Sequence, residues 1–292
     1  MPASPFVLDS LVAVITARFR ELSGAQFTLL SAGWDSVAVD ADDRLIFKFP
    51  RHAEGEAGLR LEASILGLVR RHVSLRVPVL ELFEAPQLFS RHEKIPGEHL
   101  LTAQYDGLSA LERDKLADQM GLFYTELHKI GLAEAQAAGA GTVDIWPGGD
   151  TILRLAWPVL PEELRSFADR TMRQWTMLSP DPRGERFGFF DGHGWNMAFD
   201  HQLRRLNGVY DFGDSGIGAT HREFIYSSLV SPDLTERIIL AYERHAGRPV
   251  DRERVGVLAG THRLWELGGE AHLPDNVPSL VASLRQWAAY AG

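Results

Sequence analysis

Between Gly188 and Asp214 the sequence sets two groups of polar residues at the ends of a short apolar hairpin. The first is Asp191-Gly192-His193-Gly194-Trp195-Asn196, followed by Met197-Ala198-Phe199 and an Asp200-His201 turn. The second is Tyr210-Asp211-Phe212-Gly213-Asp214. A hairpin returns its ends to one place, so Asp191, Asn196 and Asp211 are expected to converge. Taken alone, an Asp-x-x-x-x-Asn stretch usually makes only turns, because both side chains bond their own backbone. A second acidic cluster at the same hairpin end changes that reading. Phosphoryl transfer needs a carboxylate to orient the attacking hydroxyl and hard oxygen ligands for Mg²⁺ on the phosphates. Asp191 fits the base, and Asn196 and Asp211 fit the metal ligands.

The rest of the chain must build a frame around that hairpin. Residues 6–19 have apolar residues at helical spacing, and short β-like runs follow at 27–30, 36–39 and 45–49. Residues 55–71 return to helical spacing, with further strands expected at 77–82 and 87–90. After the Ile95-Pro96-Gly97 turn signal the pattern is mainly helical, over 109–130, over 161–177 and again beyond Glu223. The order describes an α+β chain, with a small antiparallel sheet and helix in residues 1–97 and a larger helical unit in residues 98–292.

Bulk properties remove several function classes. With no cysteine, thiolate metal sites, disulfides and cysteine nucleophiles are excluded. A formal charge of -9 disfavours nucleic acid, and Arg70-Arg71 and Arg204-Arg205 are only isolated basic pairs. The longest apolar run, residues 11–17, is too short to span a bilayer, so a cytoplasmic protein without membrane association is expected, acting as a monomer.

Upstream, Lys48 lies between Phe47 and Phe49, and strand alternation turns it to the face opposite those two rings. Such a lysine is often merely solvated. Glu62, fourteen residues later on the expected helix, can pair with it and hold it for the α- and β-phosphates. Gly33, between the first two strands, is either an ordinary turn or a place where backbone approaches a triphosphate.

Taken in order, Gly33-Trp34-Asp35-Ser36, the run Ile46 to His52, Glu62, Lys94-Ile95-Pro96-Gly97, Leu122 to His128, Asp191 to Asn196 and Asp211 to Asp214 resemble the aminoglycoside phosphotransferase family. The similarity extends roughly from Gln26 to Phe224, and Ile46 to His52 looks like the branch that phosphorylates the 2''-hydroxyl of aminoglycosides. The resemblance implies a bilobal protein-kinase-like fold, ATP or GTP as co-substrate, and Mg²⁺. It implies Lys48 as the phosphate-contacting lysine with Glu62 its partner, and Phe89, Ser90, Arg91 and His92 as the hinge that meets the purine through backbone hydrogen bonds. It likewise makes Asp191 the base and Asn196 and Asp211 the metal ligands.

Two departures stand out. Phe189-Phe190 replaces the family's usual histidine before the base, and Ala219-Thr220 with Glu223 replaces an Asp-Pro and a later Asp. Glu223 can keep a carboxylate in the loop-anchoring role. His128 reads as support for the catalytic loop, and His193 as a local hydrogen-bonding residue or a substitute for the missing brace. Asp214, Glu223, Trp265, Glu266 and Glu270 are candidates to line a pocket for a cationic, hydroxylated acceptor such as an aminoglycoside. A macrolide, choline, homoserine or sugar kinase keeps the same mechanism, and a silent nucleotide-binding module is the alternative from another class.

Overall fold

The computed structural model describes residues 7–30 and 35–291. Helix α1 (Leu8–Arg18) precedes strands β1 (Phe27–Leu29), β2 (Ser36–Ala41) and β3 (Leu45–Pro50), helix α2 (Ala53–Val69), and strands β4 (Glu81–Phe83) and β5 (Phe89–Glu93). The strands form one antiparallel sheet in the order β1-β2-β3-β5-β4. Asp42 and Asp43 make the β2–β3 turn with φ of 58° and 55°, a conformation that aspartate tolerates better than bulky residues.

Alternation gives the sheet two unlike faces. Phe47, Phe49 and Phe89 point to one side, where they join Leu11, Ile15 and Phe19 in a closed apolar cluster. Phe89 stacks on Phe49 and Phe83 with centroids 5.2 and 5.0 Å apart, so α1 is sealed onto the sheet by aromatic packing. The other face presents Lys48, opposite Ser90 in the ladder, and His92, opposite Ile46.

The larger lobe contains α3 (Thr102–Asp106), α4 (Ala110–Leu127), α5 (Leu132–Ala137), α6 (Gly149–Ala156) and α7 (Glu162–Thr176). Strands β6 (Glu185–Gly188), β7 (Met197–Asp200), β8 (Arg205–Val209) and β9 (Gly216–Ala219) follow, then α8 (Pro232–Ala246), α9 (Arg252–Gly269) and α10 (Val277–Ala291). β7 pairs with β8 as the expected hairpin, and β6 pairs with β9 around it. α4 starts at a reciprocal cap, where the Ser109 amide donates to Glu112 at 2.7 Å.

The expected strand over 77–82 shortens to Glu81–Phe83, because Val77 is drawn into the core of the larger lobe. That core also takes Ile65, Leu66, Leu68 and Val69 from the second half of α2. Among the described residues, no helix is long and apolar enough to cross a membrane.

Candidate active site

Lys48 Nζ donates to Glu62 Oε1 and Oε2 at 3.0 and 3.2 Å and reaches Asp211 Oδ1 at 3.4 Å. Burial opposes a charged ammonium here, but the Glu62 and Asp211 carboxylates outweigh it and hold the Lys48 pKa above its ordinary value. Glu62 Oε1 also accepts the Phe212 amide at 3.3 Å, which ties α2 to the backbone just after Asp211. Lys48 therefore stays protonated, aimed from the sheet at the end of the β7–β8 hairpin.

Asn196 Nδ2 donates to Asp191 Oδ2 at 2.6 Å and to the Asp191 carbonyl at 3.1 Å. This leaves the Asn196 side-chain carbonyl, a hard oxygen, uncommitted to the base. Asp211 keeps its carboxylate 55% exposed, and a cation between these two oxygens would find ligands of the type Mg²⁺ takes. Among the described residues no group of three or more histidine or acidic side chains is arranged for a metal.

His193 bonds Asp191 directly. Its Nε2 lies 3.1 Å from Asp191 Oδ1, and its Nδ1 accepts the Trp195 amide at 3.2 Å. Burial lowers the His193 pKa, but Asp191 and the more distant Glu266 and Asp211 carry it above the ordinary histidine value.

The loop before the base is held from beneath. Glu223, with no exposed surface, accepts the Phe189 amide at 3.0 Å and the Phe190 amide at 2.9 Å. His128 Nε2 reaches the same carboxylate at 3.3 Å, while its Nδ1 meets the Tyr242 hydroxyl at 2.9 Å. Phe190 has φ of 53°, a left-handed conformation costing about 1–2 kcal/mol for a residue with a side chain. The two charge-assisted bonds offset that cost. Gly188 is required for the arrangement, since a Cβ there would sit 2.0 Å from Glu223 Oε2. Glu223 therefore does not line an acceptor pocket: both its oxygens are spent on the loop.

The remaining candidates gather in front of Asp191. Asp214 is pushed up to about 6 by desolvation first, then by Asp191, Asp211 and Asp144. Glu266 is pushed up to about 7, again by desolvation first, with Arg263 opposing and Glu270 adding. Glu266 meets His262 Nδ1 at 3.3 Å, and Glu270 accepts from Asn276 at 2.9 Å. Trp265 packs on Trp146 and His262 at 6.2 and 5.6 Å. Sequence reasoning missed Asp144 and Trp146, which lie in an irregular stretch paired to β9 through Val143 and Ile217. Arg222, 4.4 Å over the Trp146 ring and bonded to the Asp144 carbonyl, fixes that stretch.

Two expectations change or fall away. Phe89, Ser90, Arg91 and His92 do not form a hinge: they lie inside β5, whose backbone is paired to β3 on one side and β4 on the other. β3 pairs with Ser90 to Glu93 and β4 with Phe89 to Arg91, and the Lys94 amide that follows donates to the Arg44 carbonyl at 2.8 Å, so most of this backbone is committed to the sheet. Ser90 and His92 instead turn side chains to the Lys48 face, where burial first and Lys48 second lower the His92 pKa to about 3. Gly33 lies outside the described residues.

Solved structures share this fold. Aminoglycoside 2'-phosphotransferase-IIIa, in its GDP complex, superposes with a TM-score of 0.80 over 97% of this chain and 98% of its own, at 20% identity. The GDP and kanamycin complex of APH(2")-IIia gives 0.76 over 96% and 98%, also at 20% identity. Macrolide 2'-phosphotransferase MphH from Brachybacterium faecium, an apoenzyme, gives 0.69 over 95% and 98% at 17% identity. No curated protein matches the sequence significantly. The profile of the phosphotransferase enzyme family, in contrast, matches residues 26–258. That match runs from the start of β1 into α9 and takes in Lys48, Glu62, Asp191, Asn196 and Asp211, so the chain belongs to the phosphotransferase enzyme family.

Proposed function

We propose that the protein moves the γ-phosphoryl group of ATP or GTP onto a hydroxyl of a small, cationic acceptor. The observation that carries this reading is the meeting of Lys48 with Asp211 at 3.4 Å, beside Asp191 and Asn196 held together at 2.6 Å. One cation from the sheet and three oxygen-bearing side chains from the two ends of the β7–β8 hairpin support this reading. Residues 1–97 are assigned to nucleotide binding, and residues 98–292 to catalysis and acceptor binding.

In this reading Lys48, oriented by Glu62, contacts the α- and β-phosphates. Asn196 and Asp211 would hold Mg²⁺, which when bound supplies charge neutralisation on the β- and γ-phosphates. Asp191 accepts the proton of the acceptor hydroxyl as its oxygen bonds the γ-phosphorus and the bond to the β-phosphate oxygen breaks, leaving nucleoside diphosphate. Each Asp191 oxygen already accepts or faces one hydrogen bond, from Asn196 and His193, and retains a lone pair for that proton. A catalytic group fixed on both oxygens is already oriented, which is where positioning contributes most to rate.

Asp144, Asp214, Glu266 and Glu270 place negative charge before the base, with Trp265 as an aromatic wall. This favours an amine-bearing acceptor, as an aminoglycoside is, over a neutral sugar. The test is release of ADP or GDP by purified protein with Mg²⁺ across a panel of aminoglycosides, macrolides, choline, homoserine and sugars. Acceptor-stimulated release is expected; nucleotide binding without turnover on any acceptor supports a silent module instead.

A further inference from the structure

Beside the site His99 touches two aromatic side chains from two other segments, Trp195 and Tyr210, and none of the three has a role in the reading above. Trp195 directly precedes Asn196, Tyr210 directly precedes Asp211, and His99 belongs to the connection between the two lobes. The His99 and Trp195 rings meet edge to face at 4.9 Å, and the Tyr210 hydroxyl lies 3.0 Å from His99 Nδ1. Trp195 nevertheless stays 55% exposed, an unusual fate for the largest apolar side chain at a rigid position.

The position is rigid because the backbone is anchored on every side. The Glu98 amide donates to the Phe199 carbonyl at 2.9 Å, and the Leu100 amide to the Gly194 carbonyl at 3.0 Å. The His99 carbonyl accepts from His201 at 3.0 Å. Gly194 lets the connection lie directly on the catalytic loop, since a Cβ there would be 1.8 Å from the Leu100 carbonyl oxygen. In the tautomer in which the Tyr210 hydroxyl donates to Nδ1, Nε2 of His99 carries the hydrogen, and Nε2 has no partner among the described residues.

We propose that Trp195, His99 and Tyr210 form a platform for a sugar ring, with the ring's C–H face on the exposed indole and a hydroxyl accepting from His99 Nε2. An aromatic face beside one fixed hydrogen-bond donor matches a sugar, which is apolar on its face and polar around its edge. The inference rests on the phosphotransferase reading, because a sugar can come from two sources there. One is the donor's ribose, which must lie between phosphates at Asn196 and Asp211 and a base near the connection. The other is a ring of a glycosidic acceptor approaching Asp191.

Calorimetric titration of the full chain and its Trp195→Ala, Trp195→Phe and His99→Ala variants separates the cases, with matching urea midpoints confirming that each variant folds. The probes are Mg·ATP, Mg·GTP, Mg·tripolyphosphate, 2',3'-dideoxy-ATP and kanamycin. For a ribose platform, Trp195→Ala weakens Mg·ATP about tenfold, as expected when half of a large aromatic surface loses its partner, and leaves Mg·tripolyphosphate unchanged. Trp195→Phe restores most of the loss, and His99→Ala abolishes the preference for ATP over the dideoxynucleotide. For an acceptor platform, kanamycin binding weakens by a similar factor while every donor is unaffected. Wild-type affinities retained for all probes in folded variants overturn the platform. A wild-type protein that binds no nucleotide overturns the phosphotransferase reading itself.

Discussion

Glu223 and Phe190 are joined by a 2.9 Å hydrogen bond from the phenylalanine's backbone amide to a carboxylate with no exposed surface. The next residue is Asp191. The bond fixes the backbone directly before Asp191, where the resembled family's motif usually carries a histidine and this chain has Phe189-Phe190. A carboxylate rising from below, paired with His128, fixes the same stretch of backbone.

Glu223→Gln keeps the shape but turns an amide NH₂ toward one of two backbone donors. Stability is expected to fall by about 2–3 kcal/mol, the cost of leaving a buried amide unpaired and removing a charged acceptor. A urea titration reads this as a lower midpoint at unchanged slope. The turnover rate should fall about tenfold or more with the acceptor KM nearly constant, because the loss lies in placing Asp191 and not in binding.

Asp191→Ala removes the proton acceptor and leaves Lys48, Glu62 and Asp211 in place. Turnover is expected to drop by about 10²–10⁴-fold, the usual worth of a positioned base. Nucleotide affinity, measured by titration with Mg·ADP, should stay within about threefold of wild type, since a shift of that size is under 1 kcal/mol. A fully active variant overturns the assignment of the base.

Lys48→Met strands the Glu62 carboxylate, which is 6% exposed, with only the Phe212 amide as partner. About 3 kcal/mol of stability should be lost, and the double variant Lys48→Met/Glu62→Leu should recover much of it, because removing both charges leaves none buried alone. Thermal unfolding of the two variants side by side checks the sign.

The front pocket should respond to pH. Asp214 at about 6 and Glu266 at about 7 lie above their ordinary values of 3.8 and 4.5, so the folded protein holds protons that the unfolded chain has released. The stabilisation from these two groups is therefore present below pH about 4 and lost as pH rises through about 6 and about 7. Binding of a cationic acceptor follows the opposite course and strengthens over the same interval as the carboxylates ionise. Acceptor KM measured from pH 5.5 to 8 should fall, and Asp214→Asn should flatten the profile.

Much of this was legible in the residues. Lys48 could be assigned to one face of its strand because phenylalanines flank it, and the hairpin brought Asn196 and Asp211 together because its turn is short. The expected hinge falls inside a strand because β-propensity marks that a strand exists and not where it ends: β5 runs on to Glu93, with Ser90 and Arg91 paired on both edges. Asp144 and Trp146 gave no signal, since a segment without periodicity carries no information about which element it will lie against. The two roles first open to Glu223 are separated only by burial, a property of the packed lobe.

The second half of α2 is embedded in the core of the larger lobe, and Ser64 Oγ donates to the Ala138 carbonyl at 2.8 Å. The same helix is held to the sheet by Arg60 Nη2 on Glu84 at 2.7 Å and by Lys48 on Glu62, so α2 is bound on one side to the strands and on the other to the helical body, and a change in the angle between the two would be read at the Lys48–Glu62 pair.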